Sequence, residues 1–238
     1  MQILLLGYGK MGQTIEQIAL DRGHSIASRI NIDNLGDLNQ LADDSVDVVI
    51  EFSSPESAVE NISYALRRGW PVVCGTTGWL AHRETIDDLC AETKGAFFYA
   101  SNYSIGVNLF FRLNKVLASF MRNYPSYRVS MTEIHHTQKL DAPSGTAITL
   151  AEGMQAEGVG AGLAIESVRE GTVPGTHTVR YDSDVDQIEI SHVAHSRQGF
   201  ALGAVVAAEW LAGRTGVFGM DDLLNDIPDA HVGMPHHR

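Results

Sequence analysis

A short apolar run, Gln2–Leu6 (QILLL), passes directly into a glycine turn, Gly7-Tyr8-Gly9-Lys10-Met11-Gly12, and no other feature of the chain narrows its fold as much. Beyond the turn, Ile15, Ile18, Ala19 and Leu20 recur at helical spacing across residues 13–22. Gly23 stands where a left-handed cap ends a helix, and residues 24–30 read as a second strand. Strand, glycine turn, helix and strand thus follow one another within about thirty residues, the context in which G-x-G-x-x-G signifies a dinucleotide site. Such a turn lets the backbone approach a pyrophosphate at a helix N-terminus, where free N–H groups favour an anion.

The alternation continues. Residues 46–52 (VDVVIEF) form the near-continuous apolar strand expected in a sheet covered on both faces. Ser53-Ser54-Pro55-Glu56 opens a helix that ends near Gly69, with Pro55 suited to its first turn. Residues 71–74 are a further strand, followed by the tight turn Gly75-Thr76-Thr77-Gly78; a helix over 85–93 and a strand over 96–100 complete the series. This order predicts a Rossmann-type doubly wound parallel sheet.

After Ser101-Asn102-Tyr103 the pattern changes. An apolar helix over 107–121 leads to a strand over 128–134, a histidine-rich loop and a helix from about Thr146. Strands over 166–170, 177–183 and 187–195 follow, the last two with no helix between them, which predicts a mixed sheet. Helices over 200–212 and 220–224 close the chain. The expected plan is a dinucleotide-binding domain over 1–105, completed by 216–238, and an α+β substrate-binding and oligomerisation domain over 106–215.

Composition bounds the function. Twenty-nine acidic against 17 basic residues leave a net charge of -12, which disfavours nucleic acid and demands local positive charge at any anionic-substrate site. A hydrophobic content of 44% and a mean hydropathy of -0.05 suit a soluble globular chain, with no apolar run of membrane-spanning length. No basic segment precedes the LLL run, so the expected location is the cytoplasm. Cys74 and Cys90 have neither ligand spacing nor a disulfide framework and read as buried apolar residues.

The segment 133–147, EIHHTQKLDAPSGTA, is denser in functional groups than any other. His135 and His136 follow a strand, Lys139 comes next, and Ser144 is placed to cap a helix whose first N–H groups, at Gly145 and Thr146, face an anion. Histidine suits proton transfer near neutral pH, and a lysine beside a helix start makes a carboxylate site in an acidic protein. The alternatives are a solvated histidine pair or a metal site; adjacent histidines on an extended chain point to opposite faces, and no HExxH or cysteine set supports zinc. At the end of the second strand, Asn31 and Asp33 are candidate ribose contacts, with Arg29 and Lys10 the nearby cations, so NADH and NADPH both stay open.

Segment 133–147 resembles the dihydrodipicolinate reductase family, whose motif has the form E-x-HH-x-x-K-x-DAPSGTA. The likeness extends to GYGKMG, GTTGW, ASNYSIGVN, REGTVPGTHTVRY and HSRQGFALGA, the last containing Arg197 and Phe200. It implies that His135 is the general acid and Lys139 the second catalytic residue. His136, Gly145 and Thr146 would bind a cyclic imine dicarboxylate. Gly7, Tyr8, Gly9, Lys10, Met11, Gly12, Asn31, Gly75, Thr76, Thr77, Ala100, Ser101, Asn102 and Tyr103 would contact NADH or NADPH. No metal is implied. A homotetramer built through the C-terminal sheet, with domains that close over ligands, is the assembly the resemblance implies. Two positions depart from the pattern: Asn31 stands where many members carry an acid, and Tyr103 replaces a commoner phenylalanine. The rival readings are another two-domain amino-acid dehydrogenase, which has no reason to carry HHTQKLDAPSGTA, and a dinucleotide sensor without turnover, which would not need His135 or Lys139. The histidines of the terminal Pro235-His236-His237-Arg238 read as a solvated tail.

Overall fold

The computed structural model describes residues 1–196 and 198–226; Arg197 and the 235–238 tail lie outside them. The chain forms two compact units, Met1–Ser104 with Phe200–Arg238, and Ile105–Gly199. The second unit therefore returns to the first at Phe200, ahead of the expected 216, and most of the last long helix belongs to the first unit.

The first unit is a parallel sheet of β1 (Gln2–Leu6), β2 (Ser25–Ile30), β3 (Val48–Glu51), β4 (Val72–Cys74), β5 (Ala96–Tyr99) and β10 (Gly216–Phe218), in the order β10-β5-β4-β3-β1-β2. Its helices are α1 (Lys10–Asp21), α2 (Pro55–Arg67), α3 (Arg83–Glu92), α6 (Gln198–Leu211) and α7 (Met220–Asp226). The sequence pattern did not reveal β10, which has only three residues and is recognisable through its pairing with β5. Strands β1, β3, β4 and β5 are buried almost throughout, as a covered parallel sheet requires. Their side chains pack with Ile62, Trp70, Trp79 and Ile86 into one core, where each large apolar side chain contributes roughly 1.5–3 kcal/mol. Strand order reverses between β1 and β3, and ligands of open α/β sheets bind beyond the carboxyl ends at such a point.

In the second unit, β6 (Arg128–His135) pairs in parallel with β7 (Ile165–Arg169) and antiparallel with β8 (Thr176–Asp182), which pairs antiparallel with β9 (Gln187–Val193). The mixed sheet expected from sequence is therefore present. Helices α4 (Ile105–Met121) and α5 (Gly145–Ala156) supply Phe110, Ala118, Leu150 and Met154 to a core with Met131, Val179 and Tyr181 of the sheet. Alternate residues of a strand share a face, so Glu133 and His135 lie on the face of Met131. His177, opposite Glu133 in the ladder, lies on that of Val179 and Tyr181. The covered face is thus apolar along most of its length and polar at one end.

Candidate active site

That polar end gathers four chain segments. Glu133, fully buried, lies with one carboxylate oxygen 2.5 Å from His135 Nδ1 and the other 2.9 Å from the Arg169 guanidinium. Arg169 is opposite His135 in the β6–β7 pairing, and it also donates to the carbonyls of Lys139 and Asp141, at 3.2 and 2.6 Å. One arginine thus ties the loop after β6 to the buried carboxylate. His177 stacks edge-on to His135 with ring centroids 5.1 Å apart, and its Nε2 lies 3.2 Å from Ser144 Oγ.

Burial pushes the Glu133 carboxyl upward, but the polar groups beside it, Ser167, Arg169 and Ser144, together with the His135 charge, prevail and hold its pKa at about 2. Desolvation lowers the pKa of His135 against the raising influence of Glu133, with Lys139 and Arg169 adding to the fall. His177 is brought down to about 4, chiefly by desolvation and then by His135. The site therefore contains an ionised carboxylate, a histidine beside it whose pKa is on balance lowered by burial despite that carboxylate, and a second histidine kept neutral.

Ser144 caps α5: its Oγ accepts from the Ala147 N–H at 3.2 Å. The cap leaves the N–H groups of Gly145 and Thr146 in the first turn, where helix geometry provides no internal partner. His136 is half-buried just past the end of β6. Lys139 is drawn to Asp141, whose two oxygens lie 2.8 Å from its Nζ, and this hydrogen bond lowers the Asp141 pKa. The expected proton donor, lysine and helix start thus all fall in one segment of the second unit. Sequence reasoning did not single out Arg169 and His177, and gave Glu133 no role. Their only signal was inclusion in the matched stretches, because their relation to His135 depends on which strands are neighbours.

Glu133, His135 and His177 place ligand-type atoms within 4.8 Å of one another. The 2.5 Å approach of Glu133 to His135 is nevertheless an ion-pair distance. Two donors on one zinc ion, each bonded at ~2.0–2.2 Å, stand about 3.3 Å apart in a tetrahedral site.

In the first unit the expected cofactor residues collect at the carboxyl edge of the sheet. Gly9 is the N-cap of α1, Lys10 begins that helix exposed, and its first turn carries no acidic residue. A Cβ at Gly12 would meet the Gly7 carbonyl oxygen at 2.3 Å, whereas one at Gly9 would meet nothing within 4 Å. The open space over Gly9 and the acid-free helix start fit a dinucleotide pyrophosphate. Gly75, Thr76 and Thr77 follow β4; Thr76 is buried, its Oγ1 accepting from the Ser53 N–H at 2.8 Å, while Thr77 is exposed. Ala100, Ser101 and Asn102 follow β5, with Ser101 exposed. Tyr103 lies lower: its ring is buried against Phe52 and Phe98, and its hydroxyl donates to the Cys74 carbonyl at 2.7 Å. The side chain expected to touch cofactor is instead part of the packing beneath that edge. Asn31 is exposed and its Oδ1 accepts from the Asp33 N–H at 2.8 Å, shaping its own turn. Arg29 is held by Glu16, which also accepts from the Tyr8 hydroxyl.

Family models described as dihydrodipicolinate reductase, N-terminus and C-terminus, match residues 1–103 and 106–224. A 4-hydroxy-tetrahydrodipicolinate reductase of Christiangramia forsetii is 49% identical over 238 residues, covering 95% of this chain and 99% of that one. A protein of the same name from Methanosarcina barkeri is 37% identical over 200 residues, 77% of this chain and 75% of its own. The solved structure of a dipicolinate-bound dihydrodipicolinate reductase from Paenisporosarcina sp. TG-14 has the same fold, with a TM-score of 0.77 at 21% identity over 93% of this chain and 99% of that one. Matched in both halves by the family and along nearly its full length by a relative, the chain belongs to the dihydrodipicolinate reductase family.

Proposed function

We propose that the chain reduces the cyclic imine dicarboxylate formed from 4-hydroxy-tetrahydrodipicolinate to tetrahydrodipicolinate, in lysine and diaminopimelate synthesis, as a cytoplasmic homotetramer using NADH or NADPH. The observation that carries this reading is the gathering of His135, Lys139 and the α5 start on one segment, backed by a buried carboxylate. A bound dihydronicotinamide supplies the hydride. The glycine turn 7–12 holds the pyrophosphate on the α1 N-terminus, with Gly75, Thr76, Thr77, Ala100, Ser101 and Asn102 along the neighbouring edge and Tyr103 supporting it from below.

In the second unit, Lys139 exchanges Asp141 for one substrate carboxylate, while the Gly145 and Thr146 N–H groups and His136 hold the other. These contacts turn binding energy into orientation of the carbon that accepts hydride. His135, as imidazolium, then delivers a proton to the reduced ring and becomes neutral. The second unit also forms the subunit contacts of the tetramer. No helix among the described residues is long and apolar enough to cross a membrane, in keeping with the proposed location. The test is oxidation of NADH and NADPH with freshly generated substrate. Turnover is expected; tight cofactor binding without turnover by either would overturn the reading in favour of a sensor.

A further inference from the structure

His135 has two ring nitrogens, and the fold treats them differently. Nδ1 is sealed from solvent and lies 2.5 Å from the Glu133 carboxylate, without a well-aligned hydrogen bond. Glu133 is itself immobilised by Arg169 at 2.9 Å and by the Ser144 N–H at 3.3 Å. On the other side of the ring stands Gly175, where a Cβ would come within 3.0 Å of Nε2 and 3.3 Å of Cδ2. The absence of a side chain there leaves the Nε2 edge clear.

We infer that Glu133 is a positioning residue for the reduction: it holds the Nδ1 side of His135, fixes the ring with Nε2 as the only nitrogen able to reach substrate, and supplies the negative charge that lets the ring carry two protons. This inference rests on the proposed role of His135 as proton donor. A neighbouring carboxylate favours an imidazolium only while the carboxylate itself stays ionised, and Glu133 meets that condition near neutrality. The other groups around His135 work in the opposite direction. Lys139 from the loop after β6 and Arg169 from β7 are cations, and neutral His177 from β8 presents an edge of its ring. Among the strongest influences on His135, Glu133 is the one that favours its charged form. The proton balance is simple: Nε2–H passes to the reduced ring, Nδ1 keeps its proton toward Glu133, and Glu133 stays ionised throughout.

Glu133→Gln keeps the shape and removes the charge. The expected result is a kcat reduced about 10- to 100-fold, with a substrate KM within about twofold of the parent. Because the reaction needs protonated His135, kcat falls as pH rises through its pKa; without Glu133 that limb moves to lower pH. His135→Ala, measured alongside, separates the two claims. If His135→Ala lowers kcat by about 100-fold or more while Glu133→Gln keeps the parental kcat and pH limb, the positioning role is overturned and the proton donor stands. If His135→Ala keeps a near-parental kcat, both fall. Should Glu133→Gln fail to fold, nitrogen-15 NMR of the unaltered protein decides: neutral His135 is expected in the Nδ1–H form, and an Nε2–H form overturns the inference.

Discussion

The end of β1 runs so close to the end of β3 that a Cβ on Gly7 would stand 2.0 Å from the carbonyl oxygen of Phe52. Gly7 also has φ +94°, a conformation that side chains rarely adopt. Gly9, two residues on, has φ -82° and open space around it. The same motif therefore contains one glycine required by the protein's own packing and one that the packing does not need.

This difference predicts opposite phenotypes. Gly7→Ala should lower the melting temperature or prevent soluble expression, since a clash with backbone has no cheap relief. Gly9→Ala should fold with a near-parental melting temperature yet bind NADH and NADPH at least about tenfold more weakly, as the methyl group obstructs the pyrophosphate. Thermal unfolding and cofactor titration on both variants check this; tight dinucleotide binding by Gly9→Ala would remove the turn from the proposed site.

Replacing the proposed proton donor should affect turnover selectively. His135→Ala is expected to reduce kcat about 10²- to 10⁴-fold with a much smaller change in KM. Steady-state kinetics with either cofactor measures it.

Lys139→Ala should impair both binding and turnover, because its ammonium is the cation proposed for a substrate carboxylate. Its partner gives a sharper check. Asp141→Asn removes the carboxylate that competes for the same ammonium and should leave substrate KM equal or lower; a KM raised as strongly as in Lys139→Ala would make Asp141 itself a required part of the site.

Acid should weaken the fold in two stages. His177 has a folded pKa of about 4 against an ordinary 6.5, so stability present above pH 6.5 is lost as pH falls toward 4. Glu133 has a folded pKa of about 2 against 4.5, so its contribution, roughly 3 kcal/mol, is lost below pH 4.5. Denaturant unfolding at intervals from pH 7 to 3 should show declining stability, with the lower stage reduced in Glu133→Gln. A flat profile would contradict both assignments.

A role of Arg29 in cofactor preference can be tested through its partner: its guanidinium is engaged by Glu16 and lies 5.9 Å from the Tyr8 ring centroid. Glu16→Gln frees that cation beside the glycine turn. The ratio of kcat/KM for NADPH over NADH should rise about two- to fivefold, the size of a surface charge contact; an unchanged ratio would place Arg29 away from the 2′-phosphate.

Much of this architecture is legible along the chain. The alternation from β1 to β5 reports its own layering, because strands buried on both faces must be apolar and helices between them must be amphipathic. The cap at Ser144 is equally readable, since capping depends on neighbours in sequence. Three-residue β10 and the return at Phe200 were not, because neither a short strand nor a packing partner leaves a periodic trace.

The site divides in the same way. Sequence by itself determined where the proposed proton donor, the lysine and the helix start stand, since they lie within one segment whose spacing and family motif are both visible. Only the tertiary structure decided what surrounds His135. Period-two alternation puts Glu133 and His135 on one face of β6, but it cannot say that β7 brings Arg169 and β8 brings His177 to that face. Those contacts arise from strand register, a relation between residues more than thirty apart, and register is set by how the apolar stripes of Met131, Val179 and Tyr181 meet α4 and α5.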